Sequence, residues 1–286
     1  MRVSGTCAEC LFDKQRHLKN DSAYLEEVRQ ILESRREEDT SPYLVYLFNQ
    51  ARERRFGKES PYGDVKREFN ALVLSMEEGI RKKIQASPDP LAAALVLARI
   101  GNYIDFGAMT HVDRDTFLSL FDDLSLSPHD RETLGSFRLE CGSAGSFLLI
   151  TDNCGEIILD RLFLEELKKE FPDLSLTVMV RGGEILNDAT YEDALYAGMD
   201  RVAEIITNGA PVAGTVWSML PEEAGKALDR ADVILAKGQG NYESLSGQGR
   251  HVFYSFLCKC DLFTSRFSVP PLAGMFVEET ESGQIR

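Results

Sequence analysis

The sequence predicts a mixed α/β fold. A helical N-terminal region spans residues 1–140, and residues 141–286 form a mostly parallel sheet with helices on both faces. Three observations carry this. Apolar residues recur at helical spacing through the first half, with no strand-like alternation competing. From about residue 145, short apolar runs alternate with helical or loop segments, the grammar of a parallel sheet. Polar and glycine-rich stretches follow four consecutive runs, where open sheets of this kind bind ligands.

In the first half, "SAYLEEVRQIL" sets Tyr24, Leu25, Val28, Ile31 and Leu32 on one apolar helical face. "SPYLVYLFNQARERRF" opens with Ser41 as a cap and Pro42 at the first helical position. "DVKREFNALVLSMEEGIRKKI" continues the period with Val65, Phe69, Leu72, Met76 and Ile80. After the breaker "SPDP", "LAAALVLARIGNYIDFG" is apolar nearly all round and is expected to be buried. In the second half, "SFLLIT", "LTVMVR", "AEIIT", "DVILAK" and "VFYSFL" read as strands.

The composition bounds the function. Hydrophobic content of 43% and charged content of 27% are ordinary for a soluble globular chain. No window approaches 18 uninterrupted apolar residues, and "MRVSGTCAECLFDK" lacks a signal peptide's apolar core, so a cytoplasmic protein with no membrane partner is expected. A net charge of −14 argues against a nucleic-acid partner. It also means that an anionic substrate must be met by local positive groups. No motif bears on oligomeric state.

The strand ends hold the candidate chemistry. "TDNCGEIILD" places Asp152, Asn153, Gly155 and Glu156 after the first strand. The second leads into "RGGEILNDAT", with Arg181, Asn187 and Asp188. The third is followed by "NGAPVAGT", carrying Asn208, Gly209, Gly214 and Thr215, and the fourth by "KGQGNYESL", carrying Lys237, Gly238, Gly240 and Asn241. Two carboxylates and an amide can give three oxygen ligands to a divalent cation, which points to Asp152, Asn153 and Asp188. The plainer reading makes Asp152 and Asp188 helix N-caps. Their matching positions, with Asn153 alongside, favour the metal. Glycines admit an anion to backbone N–H groups, and Lys237 can reach a phosphate oxygen, so "KGQGNYESL" reads as a phosphate pocket, though it is not a nucleotide P-loop. Asn102 and Asp105 in "GNYIDFG" are three apart and share a helix face; they either cap the helix or project into the cleft between the halves.

Six cysteines in a cytosolic chain are expected to be mostly reduced. Cys7/Cys10 and Cys258/Cys260 form two tight pairs that either share one soft metal ion or remain free or occasionally oxidised thiols. Cys141 and Cys154 read as small buried side chains.

"TDNCGEIILD", "RGGEILNDAT", "KGQGNYESL" and "GNYIDFG" together resemble the metal-dependent damage-control phosphatases, catalogued as domain of unknown function 89. The cysteine pairs resemble the family's mainly microbial branch, and the likeness runs from Cys7 to Cys260. Cys154, where the family usually has another small residue, is a mild departure. The resemblance implies a helical N-terminal region packed on a Rossmann-like sheet. It implies hydrolysis of phosphate monoesters of small metabolites, sugar phosphates and damaged phosphometabolites among them. It also implies a divalent ion (cobalt, nickel, manganese or magnesium) on Asp152, Asn153 and Asp188, with Lys237 on the phosphate.

The mechanism expected is metal-assisted phosphoryl transfer to water, with Lys237 and N–H groups near Gly238 and Gly240 stabilising charge on the equatorial oxygens. Asn241, Arg181, Asn208, Gly209, Asn102 and Asp105 complete the candidate substrate contacts, and Glu156 orients the water or lines the helix start. A carboxylate nucleophile remains open, but the best-placed acids are already assigned to metal. Two rivals stand beside this reading. A methyltransferase using S-adenosylmethionine suits the same sheet, but its first turn is usually glycine-rich where this one has oxygen ligands. A non-catalytic metal or phosphometabolite sensor would use the same ligands without turnover.

Overall fold

The strands are β1 (Ser146–Ile150), β2 (Ser175–Val180), β3 (Glu204–Thr207), β4 (Val233–Lys237), β5 (Val252–Leu257) and β6 (Gly274–Glu279). In this computed structural model, which describes residues 1–58, 62–105 and 113–286, they form one sheet in the order β3-β2-β1-β4-β5-β6. The first five run parallel and β6 is antiparallel to β5. The chain therefore reverses direction across the sheet between β1 and β4. That is a topological switch point, where the loops leaving two neighbouring strands part and leave a crevice. β6 has no counterpart among the apolar runs read from the sequence. It returns beside β5 without the long helical crossover that a parallel neighbour requires.

Twelve α-helices surround the sheet among the described residues. The first seven are α1 (Gly5–Leu18), α2 (Ser22–Glu33), α3 (Ser41–Phe56), α4 (Gly63–Ala86), α5 (Pro90–Gly101), α6 (Arg114–Ser119) and α7 (Pro128–Cys141). The rest alternate with strands: α8 (Glu156–Glu170), α9 (Tyr191–Tyr196), α10 (Glu222–Arg230), α11 (Gly238–Leu245) and α12 (Asp261–Phe267). None of the described helices is long and apolar enough to cross a membrane.

Two-residue alternation along the strands assigns the faces. Phe147, Leu149, Val233 and Leu235 enter the main core with α4, α5, α7 and α8, whereas Leu148, Ile150, Ile234 and Ala236 face α10, α11 and α12. The main core thus draws on residues from both sides of position 140. Helices α1 to α3 enclose a third, smaller cluster around Tyr24, Val28, Leu44 and Phe48.

Three local expectations shift. The α3 N-cap is Thr40; Ser41 is already helical and Pro42 follows it, its missing N–H falling harmlessly in the first turn. On α2, Ile31 is only half-buried. On α4 the buried stripe is Phe69, Val73, Ile80 and Ile84, while Val65, Leu72 and Met76 are partly covered, because this helix also buries Lys66 and Asn70. Helix α5 is buried from Ala93 to Gly101, as its all-round apolar sequence predicts. Its last glycine lets α8 approach: a Cβ on Gly101 would lie 2.8 Å from the Glu156 Cα.

Candidate active site

The segments leaving β1 and β2 are tied to one another before any side chain is considered. Cys154 N–H donates to Asn187 O at 2.8 Å, and Ala189 N–H donates to Asp152 O at 2.7 Å. These bonds set Asp152, Asn153 and Asp188 side by side beyond the carboxyl edge. Neither acid caps a helix: α8 is capped at Gly155 (φ +68°) and α9 at Thr190, whose hydroxyl and amide meet Asp193. The plainer N-cap reading therefore fails for both.

Arg181 lies between the two acids and is fully buried. Its Nε donates to Asp188 Oδ2 at 2.7 Å, one Nη to Asp152 Oδ1 at 3.1 Å and the other to Asn241 Oδ1 at 3.1 Å. Asp152 Oδ2 accepts from the Asn102 and Asn153 amides, each at 2.9 Å, and both amides also reach Glu156 Oε2. Asn102 is thus a cleft residue. It sits at the α5 C-cap, so the shared helix face with Asp105 does not form. Asp105 accepts from Lys259 Nζ at 2.7 Å, and its charge is felt at both Asp152 and Asp188. Phe106 and Gly107 of the same motif lie outside the described residues.

Lys237 departs from expectation. It shares strand parity with Val233 and Leu235, so its side chain enters the face covered by α5 and α8 instead of crossing the sheet edge. Nζ donates to Glu156 Oε1 at 2.8 Å, Asp160 Oδ1 at 2.6 Å and Ala98 O at 3.1 Å, which uses all three of its donors. Burial opposes its charge, but Asp160 and Glu156 outweigh that and hold its pKa above the usual lysine range. In this arrangement it positions Glu156 and holds no donor free for a phosphate.

The glycine motifs also serve the protein itself. A Cβ on Gly238 (φ +79°) would lie 1.9 Å from Asp152 Oδ2, so this glycine leaves room for the Asp152 carboxylate. A Cβ on Gly240 would lie 2.2 Å from Ala213 O. Asn241 donates to Lys237 O and Thr151 O and accepts from Arg181 and Thr215. Asn208 is engaged likewise, accepting from Gly182 and Ala210 N–H and donating to Gly214 O, while Gly209 packs on Pro221.

Electrostatics single out the strand-end cluster. Burial, then the Asp188 and Glu156 charges, push Asp152 well above the usual carboxylate range. Burial raises Asp188 to about 6 against the opposing pull of Arg181, and raises Asp160 to about 7 against Lys237. The balance is four buried carboxylates, Asp152, Glu156, Asp160 and Asp188, against two cations, Arg181 and Lys237. A hard oxygen donor set with surplus negative charge fits a divalent cation. The Asn153 amide carries both the donor end used here and the oxygen a ligand role requires. Among the described His, Cys, Asp and Glu side chains, three come within 4.8 Å of one another only at Glu140, His251 and Glu278, on another edge of the sheet.

Among the described residues, no three of the terminal cysteine sulfurs lie within 4.8 Å of one another. Cys258 is buried, Cys7 and Cys260 are half-buried and Cys10 is exposed, all as free thiols. Burial raises the Cys260 thiol, and the Cys7 charge adds a smaller contribution. Cys141 and Cys154 are buried, and burial pushes both thiols up to about 12.

Asn70, Lys66 and Asp193 escaped sequence reasoning. Asn70 accepts from Gly155 N–H at 2.6 Å and donates to Asp193 at 2.8 Å, joining the turn that carries Asp152 to helix α9, which follows Asp188. Lys66 pairs with Asp193 and Glu184. A polar residue on an otherwise apolar stripe, as Asn70 stands next to Phe69, is the signal that could have found it. Asp160 was findable too, lying one helical turn after Glu156 on α8.

Residues 4–271 match the damage-control phosphatase ARMT1-like domain. A damage-control phosphatase of Archaeoglobus fulgidus is 31% identical over 91% of this chain and 93% of its own length. A damage-control phosphatase of Pyrococcus horikoshii is 29% identical over 75% of this chain and 73% of its own. The crystal structure of a P. horikoshii DUF89 family protein superposes with a TM-score of 0.80 at 25% identity, covering 96% of this chain and 98% of that one.

Proposed function

This chain belongs to the damage-control phosphatase ARMT1-like family, and we propose that it is a divalent-metal-dependent phosphatase acting on phosphate monoesters of small metabolites, sugar phosphates or damaged phosphometabolites among them. The observation that carries the reading is the surplus of buried carboxylate at the β1/β4 switch point. Asp152, Asn153 and Asp188 would hold the cation. When bound, it supplies charge neutralisation at the phosphate and activation of the attacking water.

The chain's own groups do the rest. Arg181 fixes the separation of Asp152 and Asp188, and its guanidinium is the cation nearest both acids, able to turn toward phosphate oxygens once another positive charge relieves it. Glu156, held at Oε1 by Lys237, keeps Oε2 toward Asp152 as a proton acceptor for water. Asn102 and Asn153 orient both acids, and the buried surroundings strengthen each of these interactions.

The test is a panel of phosphate esters assayed with magnesium, manganese, cobalt and nickel after chelation. Turnover restored by added metal supports the reading. Binding of S-adenosylmethionine, with no ester hydrolysed under any metal, would replace it.

A further inference from the structure

We propose that Glu140, His251 and Glu278 form a second divalent-cation site, suited to a borderline transition-metal ion such as Zn2+. The three side chains come from separate elements: the last turn of α7, the residue preceding β5 and the end of antiparallel β6. They therefore meet at the amino edge of the parallel strands, about 17–20 Å from the carboxyl edge across a six-residue strand.

The spacing is that of ligands around one ion. His251 Nε2 lies 3.1 Å from Glu278 Oε1 and 3.5 Å from Glu140 Oε1. All three ligand atoms lie within 4.8 Å of one another. Metal bonds of about 2.0–2.2 Å place neighbouring ligand atoms about 3.0–3.5 Å apart in octahedral or tetrahedral geometry. An imidazole nitrogen with two carboxylates suits zinc, cobalt or nickel better than magnesium or calcium.

A simple ion pair explains the arrangement less well. One ring nitrogen can aim a single N–H, yet two carboxylate oxygens converge on it. A singly charged imidazolium would also leave one of the two acids uncompensated. Glu140 stands in the last turn of a 14-residue helix, where the helix dipole disfavours a carboxylate. Packing of the His251 ring on Phe253, with centroids 5.3 Å apart, fixes its orientation before any ion arrives. An ion there would pin α7 to the β5–β6 pair.

The experiment is a Zn2+ titration of chelator-stripped protein against a chromophoric competitor, comparing the parent with His251→Asn and Glu140→Gln. Sites elsewhere contribute equally to all three, so the difference isolates this one. The expected result is that both variants lose the same single equivalent, bound by the parent with Kd below about 10 µM. Glu140→Gln lies at a half-exposed helix end and serves if His251→Asn folds poorly. Equal stoichiometry in all three proteins, or an extra parental equivalent appearing only above about 100 µM, would overturn the proposal.

Discussion

Two buried charge clusters sit one residue apart on α5 and have different consequences. Arg99 pairs with Asp130 at 3.0 Å; Asp130 also accepts from Phe276 N–H and closes the α7 capping box with Ser127. One cation meets one anion there, and α5, α7 and β6 are joined. Ala98, just before Arg99, accepts from Lys237, which belongs to the strand-end cluster with its surplus of acids. Burial is similar in the two places, so burial does not separate them. The balance of charge does: a neutral buried pair maintains a fold, whereas the strand-end surplus is what the proposed cation would balance.

The largest expected effect tests that contrast directly. Asp152→Asn should reduce kcat/KM by about 10³, or about 4 kcal/mol, while leaving thermal stability unchanged or higher, because a surplus charge is removed. Asp130→Asn should do the reverse, costing about 3 kcal/mol of stability by stranding Arg99 and preserving kcat in the folded fraction. Kinetics and urea midpoints on both variants decide it, and a shared phenotype would dissolve the comparison.

Lys237→Met comes next. Its ammonium separates two buried acids, so the variant should lose about 3 kcal/mol of stability as well as activity. Adding Asp160→Asn should recover part of the stability. Unchanged stability in the single variant would show that Lys237 is not the counter-charge assigned to it above.

The smallest effect is on pH dependence. Asp188, at about 6, and Asp160, at about 7, both titrate above an unfolded carboxylate near ~4, so the folded chain holds more protons inside that window. Stability of metal-free protein should therefore rise as pH falls from about 7 toward about 4, by at most about 1.4 kcal/mol per pH unit for each proton. Metal affinity should weaken over the same range, since the ligands must be ionised. Urea midpoints at pH 5 and 7.5, with and without chelator, check the sign. Greater metal-free stability at the higher pH would contradict it.

Much of this protein was determined by its sequence alone. Apolar period marked helices α2 to α5 and five of the six strands, and the strand-end rule put Asp152, Asn153, Asp188 and Glu156 at one sheet edge, because both signals are local. The antiparallel β6 escaped, since its pairing partner is set by the sheet and not by its own residues. Tertiary structure alone decided what each polar group faces. Strand parity and the close approach of α5 to α8 turned Lys237 inward to Glu156 and Asp160, and the approach of Gly238 to Asp152 made a glycine turn a seat for a carboxylate. Asn70, eighty-five residues before Gly155, joined the Asp152 turn to helix α9. Sequence fixes the donors and acceptors a residue carries, but a buried hydrogen bond is satisfied by whichever group packing brings within reach.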